Sequence, residues 1–100
     1  MASAKQFVDE GIKKNHVMVY GKSYCPYCQR AKKLLEGETS EMEYIDLDKR
    51  DDGSDIQAYL KQLNGQGTVP HVYIGQEFIG GCSELQAVPK DELKKKLSKK

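Results

Sequence analysis

Two thiols, Cys25 and Cys28 of Cys25-Pro26-Tyr27-Cys28, are the residues of this chain whose type and spacing most directly permit chemistry. A pair spaced in this way can exchange with a disulfide: a thiolate attacks one sulfur, and the neighbouring thiol then closes an internal disulfide and expels the partner. Zinc is the competing use of Cys-x-x-Cys, with Cys82, His16 and His71 as the further ligands on offer. Those residues are scattered, with no second Cys-x-x-Cys and no closely spaced histidine pair, so no metal is expected. Structural thiols are the remaining alternative, but core cysteines have no reason to bracket Pro-Tyr where a helix begins.

The elements around the pair set its chemistry. His16-Val17-Met18-Val19-Tyr20-Gly21 has the length and β-branched content of a buried strand, and Gly21 to Tyr24 provide a turn. Beyond the pair, Cys28, Ala31 and Leu35 recur at i, i+3 and i+7 with Leu34 beside them, while Gln29, Arg30, Lys32 and Lys33 face away, as in an amphipathic helix. The pair therefore lies at a strand-to-helix junction. Unpaired N–H groups and the positive dipole end of that helix would stabilise an anion, here a Cys25 thiolate, with Lys22 as a nearby cation. Cys25 is expected at the helix mouth as the attacking sulfur, and Cys28 on the apolar face as the resolving one. Pro26 suits the first helical turn, where its missing N–H breaks no bond.

Ser3 with Gln6 reads as a capping box opening a first helix to about Lys14, carried by Ala4, Phe7, Val8, Gly11 and Ile12. The dithiol helix is expected to end near Glu36-Gly37, with Gly37 in the left-handed C′ position. Met42 to Leu47 is a second strand whose apolar load falls on Met42, Tyr44 and Leu47, and a connecting helix makes it parallel to the first. After a charged loop from Asp48 to Gly53, Ser54 and Gln57 form a capping box before Ile56, Tyr59, Leu60 and Leu63, and Asn64-Gly65 stops that helix. Val69 to Ile74 and Glu77 to Gly80 are antiparallel strands joined by Gly75-Gln76 in a type II′ turn. Ser83 and Gln86 cap a short helix, and Pro89, Leu93 and Leu97 mark a last, lysine-rich one. The order implies one α/β domain over residues 1–100, a four-stranded mixed sheet flanked by helices on both faces.

Acidic and basic residues are interspersed and nearly balanced, with a net charge of +1, so nothing selects nucleic acid as a partner. Met1 to Asn15 lacks the apolar core of a signal peptide, and no stretch approaches the ~20 apolar residues of a membrane span. The 3 cysteines do not make a disulfide framework. A soluble protein of a reducing compartment, the cytoplasm, is expected.

Cys25-Pro26-Tyr27-Cys28, Thr68-Val69-Pro70 and Gly80-Gly81-Cys82-Ser83 stand in this order and at these separations, and with them the chain closely resembles a glutaredoxin of the dithiol class along nearly its whole length. The resemblance implies a thioredoxin fold and a monomeric thiol-disulfide oxidoreductase that uses glutathione as co-substrate, without a bound metal. Its partners would be glutathione and proteins carrying disulfides or glutathione mixed disulfides. Cys25 would be the nucleophile and Cys28 the resolving thiol. For glutathione, the resemblance implies Lys22 against the glycine carboxylate, Tyr27 beside the sulfur, and Thr68-Val69-Pro70 as a loop with a cis proline, whose Val69 edge pairs with an extended substrate. Gly81, Cys82 and Ser83 are implied as the backbone site for the γ-glutamyl carboxylate at a helix N-terminus. Gln57 carries two competing readings, glutathione contact and capping partner of Ser54. The Cys82 side chain reads as a small packed thiol, and His71 has no fixed role in the family.

The chain departs from the family pattern at Glu84, where many dithiol glutaredoxins have Asp, and at Gly67, where many have Arg or Lys; both bear on glutathione affinity. An alternative function is iron–sulfur cluster carriage between two protomers through the first cysteine and glutathione. Carriers of that kind mostly have Cys-Gly-Phe-Ser, or Ser in place of Pro26. Reduction driven by a flavoprotein reductase, as in thioredoxins, would go with Trp-Cys-Gly-Pro-Cys, and the chain has no Trp.

Overall fold

β1 (Val17–Gly21) is buried from end to end, covered on both faces and paired on both edges, in the computed structural model, which describes residues 3–98. Alternate side chains of the strand serve different layers, Val17 and Val19 on one side, Met18 and Tyr20 on the other. A strand covered on both faces needs a continuous apolar run rather than alternation, and this segment supplies one. β2 (Met42–Asp46) pairs with it in parallel, β3 (His71–Ile74) pairs antiparallel, and β4 (Glu77–Gly80) adds to β3, giving the order β2-β1-β3-β4.

α2 (Pro26–Glu36), α4 (Cys82–Ala87) and α5 (Lys90–Ser98) cover one face, laying Ala31, Leu35, Leu85, Leu93 and Leu97 on Val17, Val19, Val72 and Ile74. α1 (Ala4–Lys14) and α3 (Gly53–Asn64) cover the other, with Val8, Ile12, Ile56 and Leu60 on Met18, Tyr20 and Tyr73. This is the four-stranded mixed sheet flanked by helices, the thioredoxin fold. Lys99 and Lys100 of the C-terminal lysine run lie outside the described residues.

The Ser3–Gln6 capping box forms as the pattern predicts, but the other two boxes do not. α3 starts one residue earlier than Ser54, with Asp52 at the N-cap. The cause is Gly53, which packs so closely on the Leu47 carbonyl oxygen that any Cβ would overlap it. α4 likewise begins at Cys82, and the reciprocal acid is Glu84, which accepts the Gly81 N–H at 2.7 Å, leaving Ser83 and Gln86 without the predicted roles. Gly75 and Gln76 both have positive φ (57° and 69°), so the hairpin turn is type I′ and not type II′. Gly37 is right-handed (φ −72°, ψ −18°), because the Glu38 and Thr39 N–H groups close on the Leu35 carbonyl at 3.0 and 2.8 Å instead. The second strand stops at Asp46, and Leu47–Lys49 turn into a 3-10 helix that buries Leu47 beside α3. The third strand starts at His71, two residues later than predicted, after a loop ending in Pro70.

Candidate active site

Cys25 is the N-cap of α2 and Pro26 its first residue, so the strand-to-helix junction is formed as the sequence implies. The Cys25 backbone is extended (φ −85°, ψ 117°) and its Sγ accepts the Cys28 N–H at 3.3 Å. An N-cap acceptor satisfies one of the helix's orphan donors. Cys25 is half-buried and reachable; Cys28 is fully buried against the α2 face of the sheet. Both are free thiols. Burial pushes the Cys28 thiol up to about 12, with Cys25 beside it adding to the effect. Two sulfurs one helical turn apart thus occupy unlike environments, one accessible at the helix mouth and one buried with its thiol held in the protonated form.

The turn before them is tied down from outside. The Asp48 carboxylate accepts both the Ser23 N–H at 2.8 Å and the Ser23 hydroxyl, and these bonds hold its carboxyl below the usual range. Gln29 reaches back from α2 to the Ser23 carbonyl at 3.2 Å. Tyr24 and Tyr27 flank the thiols as exposed rings, 70% and 60% accessible, with the Lys22 ammonium 5.9 Å from the Tyr24 centroid and the Arg30 guanidinium 5.9 Å from that of Tyr27.

Beside Lys22 and Tyr27 opens a cleft of about 720 Å³. The residues that the resemblance implies for glutathione all line it: Lys22 and Tyr27 on one side, Thr68, Val69 and Pro70 on the floor loop, Gly81, Cys82 and Ser83 at the start of α4, and Gln57 from α3. The Val69–Pro70 peptide bond is cis. Gln57 caps nothing, since its amide donates to the Gly67 carbonyl at 3.3 Å and leaves Ser54 alone. Cys82 turns its side chain into the core while its backbone opens α4 onto the cleft. Burial pushes its thiol up as well.

Gln66, and the bonds that Glu84 makes, go beyond what the sequence predicts of the cleft. Gln66 donates from one amide nitrogen to the Thr68 carbonyl at 2.7 Å and to the Pro70 carbonyl at 2.8 Å, bracing the proline loop. Glu84 accepts the Gly81 N–H and the Ser83 hydroxyl, each at 2.7 Å, and its carboxyl is held low by these bonds, the hydroxyl's first. The second had a sequence signal, since Gly81-x-x-Glu84 is itself a box-like spacing, whereas Gln66 between two glycines had none.

The remaining zinc candidates do not converge on the thiols. His16 lies at the far end of β1, its Nε2 2.7 Å from the Lys96 carbonyl oxygen, on a separate hollow of about 980 Å³. His71 is buried in the α1/α3 layer, its Nδ1 accepting from the Asn64 amide at 3.1 Å, and burial holds its ring neutral, down to about 4. Among the described residues no three His, Cys, Asp or Glu side chains gather into a metal-holding group, and no helix is long and apolar enough to cross a membrane.

Comparison with known proteins points the same way. The glutaredoxin family model matches residues 17–79. Glutaredoxin-2 of Schizosaccharomyces pombe is 45% identical over 82 residues, covering 82% of this chain and 74% of the relative. Glutaredoxin-C2 of Arabidopsis thaliana is 42% identical over 88 residues, covering 88% and 79%. Among solved structures, wheat glutaredoxin superposes with a TM-score of 0.89 at 38% identity, covering 94% of this chain and 90% of that one. A buckwheat glutaredoxin–glutathione complex superposes with a TM-score of 0.82 at 39% identity, covering 94% and 83%.

Proposed function

The chain belongs to the glutaredoxin family of glutathione-dependent thiol oxidoreductases, and from that premise we propose that it is a dithiol glutaredoxin that reduces glutathione mixed disulfides and protein disulfides. The observation that carries the proposal is the unlike placement of the two thiols, Cys25 accessible at a helix N-cap and Cys28 buried one turn on, beside a cleft. The Cys25 thiolate attacks the mixed disulfide on the glutathione sulfur, the target protein leaves as a thiolate and takes a proton, and glutathione remains on Cys25. A second glutathione thiolate then attacks that sulfur, releasing glutathione disulfide and the Cys25 thiolate. With a protein disulfide the first intermediate is a Cys25–protein disulfide. Cys28 resolves it by closing on Cys25, and two glutathiones reopen the internal bond.

The cleft suits an extended tripeptide with a carboxylate at each end. Lys22 would meet the glycine carboxylate, and the Val69 backbone edge would pair with the cysteinyl residue. The N–H groups that open α4 would meet the γ-glutamyl carboxylate, because the first donors of a helix have no intrahelical partner. Tyr27, Gln57 and Thr68 would complete the walls. That a buckwheat relative forms a glutathione complex supports this assignment. The protein would work as a monomer in a reducing compartment such as the cytoplasm, on disulfide-bearing or glutathionylated proteins. The test is turnover of a glutathione mixed disulfide coupled to glutathione reductase, run beside a thioredoxin-reductase-coupled assay. Activity only in the second would overturn the proposal.

A further inference from the structure

Cys28 is needed as a thiolate twice in the dithiol route: when it attacks the Cys25 mixed disulfide, and when it leaves as glutathione reopens the internal bond. Its surroundings are closed, so a donor must meet that charge inside the protein. Tyr44 reaches the place from β2. Gly21 has no side chain, and the Tyr44 phenol fills the gap: a Cβ built on Gly21 would lie 2.5 Å from Tyr44 Oη and 3.1 Å from Cys28 Cβ. The hydroxyl donates to the Lys22 carbonyl at 3.1 Å, and the Gly21 notch that it fills is also lined by the Cys28 side chain. The other groups facing that sulfur are Cys25 on its own helix and the Lys22 backbone. Lys32 lies over the Tyr44 ring with its ammonium 5.0 Å from the centroid. Asp46, further along β2, has a buried Oδ1 without a partner. Burial, Cys28 and Asp46, in that order, push the phenol up and keep it a donor.

We propose that Tyr44 is a positioning residue for the second sulfur, its hydroxyl turning from the Lys22 carbonyl to Cys28 Sγ whenever that sulfur carries charge. This rests on the dithiol reading above. In the balanced step Cys28 gives its proton to solvent and its thiolate attacks Cys25 Sγ. The bond from Cys25 to the partner sulfur breaks, the Cys25–Cys28 bond forms, and the expelled thiolate takes up a proton. One disulfide is consumed and one is made, and Tyr44 keeps its own proton throughout.

Reaction with the aromatic disulfide 5,5′-dithiobis(2-nitrobenzoate) separates the steps. A first thionitrobenzoate is released as Cys25 is modified and a second as Cys28 resolves the mixed disulfide. Stopped-flow absorbance across neutral to alkaline pH would follow both in wild type and Tyr44→Phe, which keeps the ring over Gly21. Losing a hydrogen bond to a charged group is expected to slow the second release about ten-fold at neutral pH and to raise its pH midpoint by about one unit. An unchanged second release in the folded variant overturns the proposal, as does a slowing that leaves the midpoint where it was. In a Cys28→Ser background, external thiol attack on the Cys25 adduct supplies the control. If Tyr44→Phe slows that attack equally, its effect does not pass through Cys28 and the proposal fails. Thionitrobenzoate is not glutathione, so the outcomes separate. A wild type that shows the Tyr44 effect but fails the glutathione-coupled assay refutes the proposed function alone.

Discussion

Gly67→Arg restores a cation that many dithiol relatives carry and this chain lacks, at a place where the geometry sets the size of the effect. Gly67 lines the cleft next to Thr68. It is not among the glycines with positive φ, which are Gly65, Gly75 and Gly80, so a side chain there meets no left-handed strain. A Cβ would rest 3.6 Å from the Lys61 side-chain carbons, an ordinary contact, and 3.9 Å from Lys61 Nζ. A surface pairing between the new guanidinium and the glycine carboxylate of glutathione is worth about 0.2–1 kcal/mol, or roughly five-fold in KM at most. The Lys61 ammonium lowers that figure, because it already places positive charge at this spot and repels a second cation. A two-fold fall in KM is the order expected in the single variant, with more in Gly67→Arg/Lys61→Gln. Steady-state KM for glutathione at low and high salt, with a melting curve for each variant, reads the result. The gain should fade with salt, since charges near the surface are screened over about 10 Å at 0.1 M. A KM that does not move at low salt, in a variant as stable as wild type, would refute the idea that position 67 faces the glycine carboxylate.

The thiols should separate by assay: Cys25→Ser abolishes both activities, while Cys28→Ser keeps turnover of glutathione mixed disulfides and loses most reduction of internal protein disulfides. Equal loss of mixed-disulfide turnover in the two variants would contradict the roles given to them. His71 is held neutral in the fold, its ring lowered from 6.5 to about 4, so the unfolded chain binds a proton between those values that the native one refuses. Its contribution is complete above about pH 6.5 and is lost as pH falls towards 4, by up to about 3 kcal/mol. Urea unfolding of wild type and His71→Gln at stepped pH would show it, and a difference between them that stays flat with pH would sink the assignment. Gly53→Ala drives a methyl into the Leu47 carbonyl and should cost about 1–3 kcal/mol or more, seen as a lower melting temperature; an unchanged one would show that the start of α3 yields freely.

The elements with strong periodicity are legible from the residues alone, because each buries its face against one sheet. The unbroken apolar run of β1 and the i, i+3, i+7 spacing of α2 predict both the strand and the junction that carries Cys25. Helix starts are not legible where contacts outside the Ser-x-x-Gln pattern decide them. Ser54 looks like a cap until Gly53 is seen wedged on Leu47, and Ser83 until Glu84 folds back on Gly81. The turn type at Gly75-Gln76 is not legible, because Gly at the first position suits both hairpin classes and only the positive φ of Gln76 separates them. The gathering of Lys22, Gln57, Val69 and Ser83 on one cleft came from the family likeness, since no local pattern links residues so far apart. In the sequence Tyr44 shows only as apolar load on a strand; what its hydroxyl meets depends on the missing side chain of Gly21 across the β1–β2 pair.

The Gln66 brace has a thermodynamic consequence for whatever binds the cleft. One side-chain amide holds the carbonyls on both sides of Val69, and the Gln66 N–H is in turn held by the Asn64 side chain at 2.9 Å. The receiving edge is therefore shaped before a ligand arrives, and the ordering entropy of that segment is charged to folding instead of to association. Encounter with a flexible tripeptide then requires only the peptide to lose freedom. Affinity can stay modest and exchange fast without any loss of geometric accuracy at Val69, which suits the proposed cycle of releasing a spent ligand and taking up another.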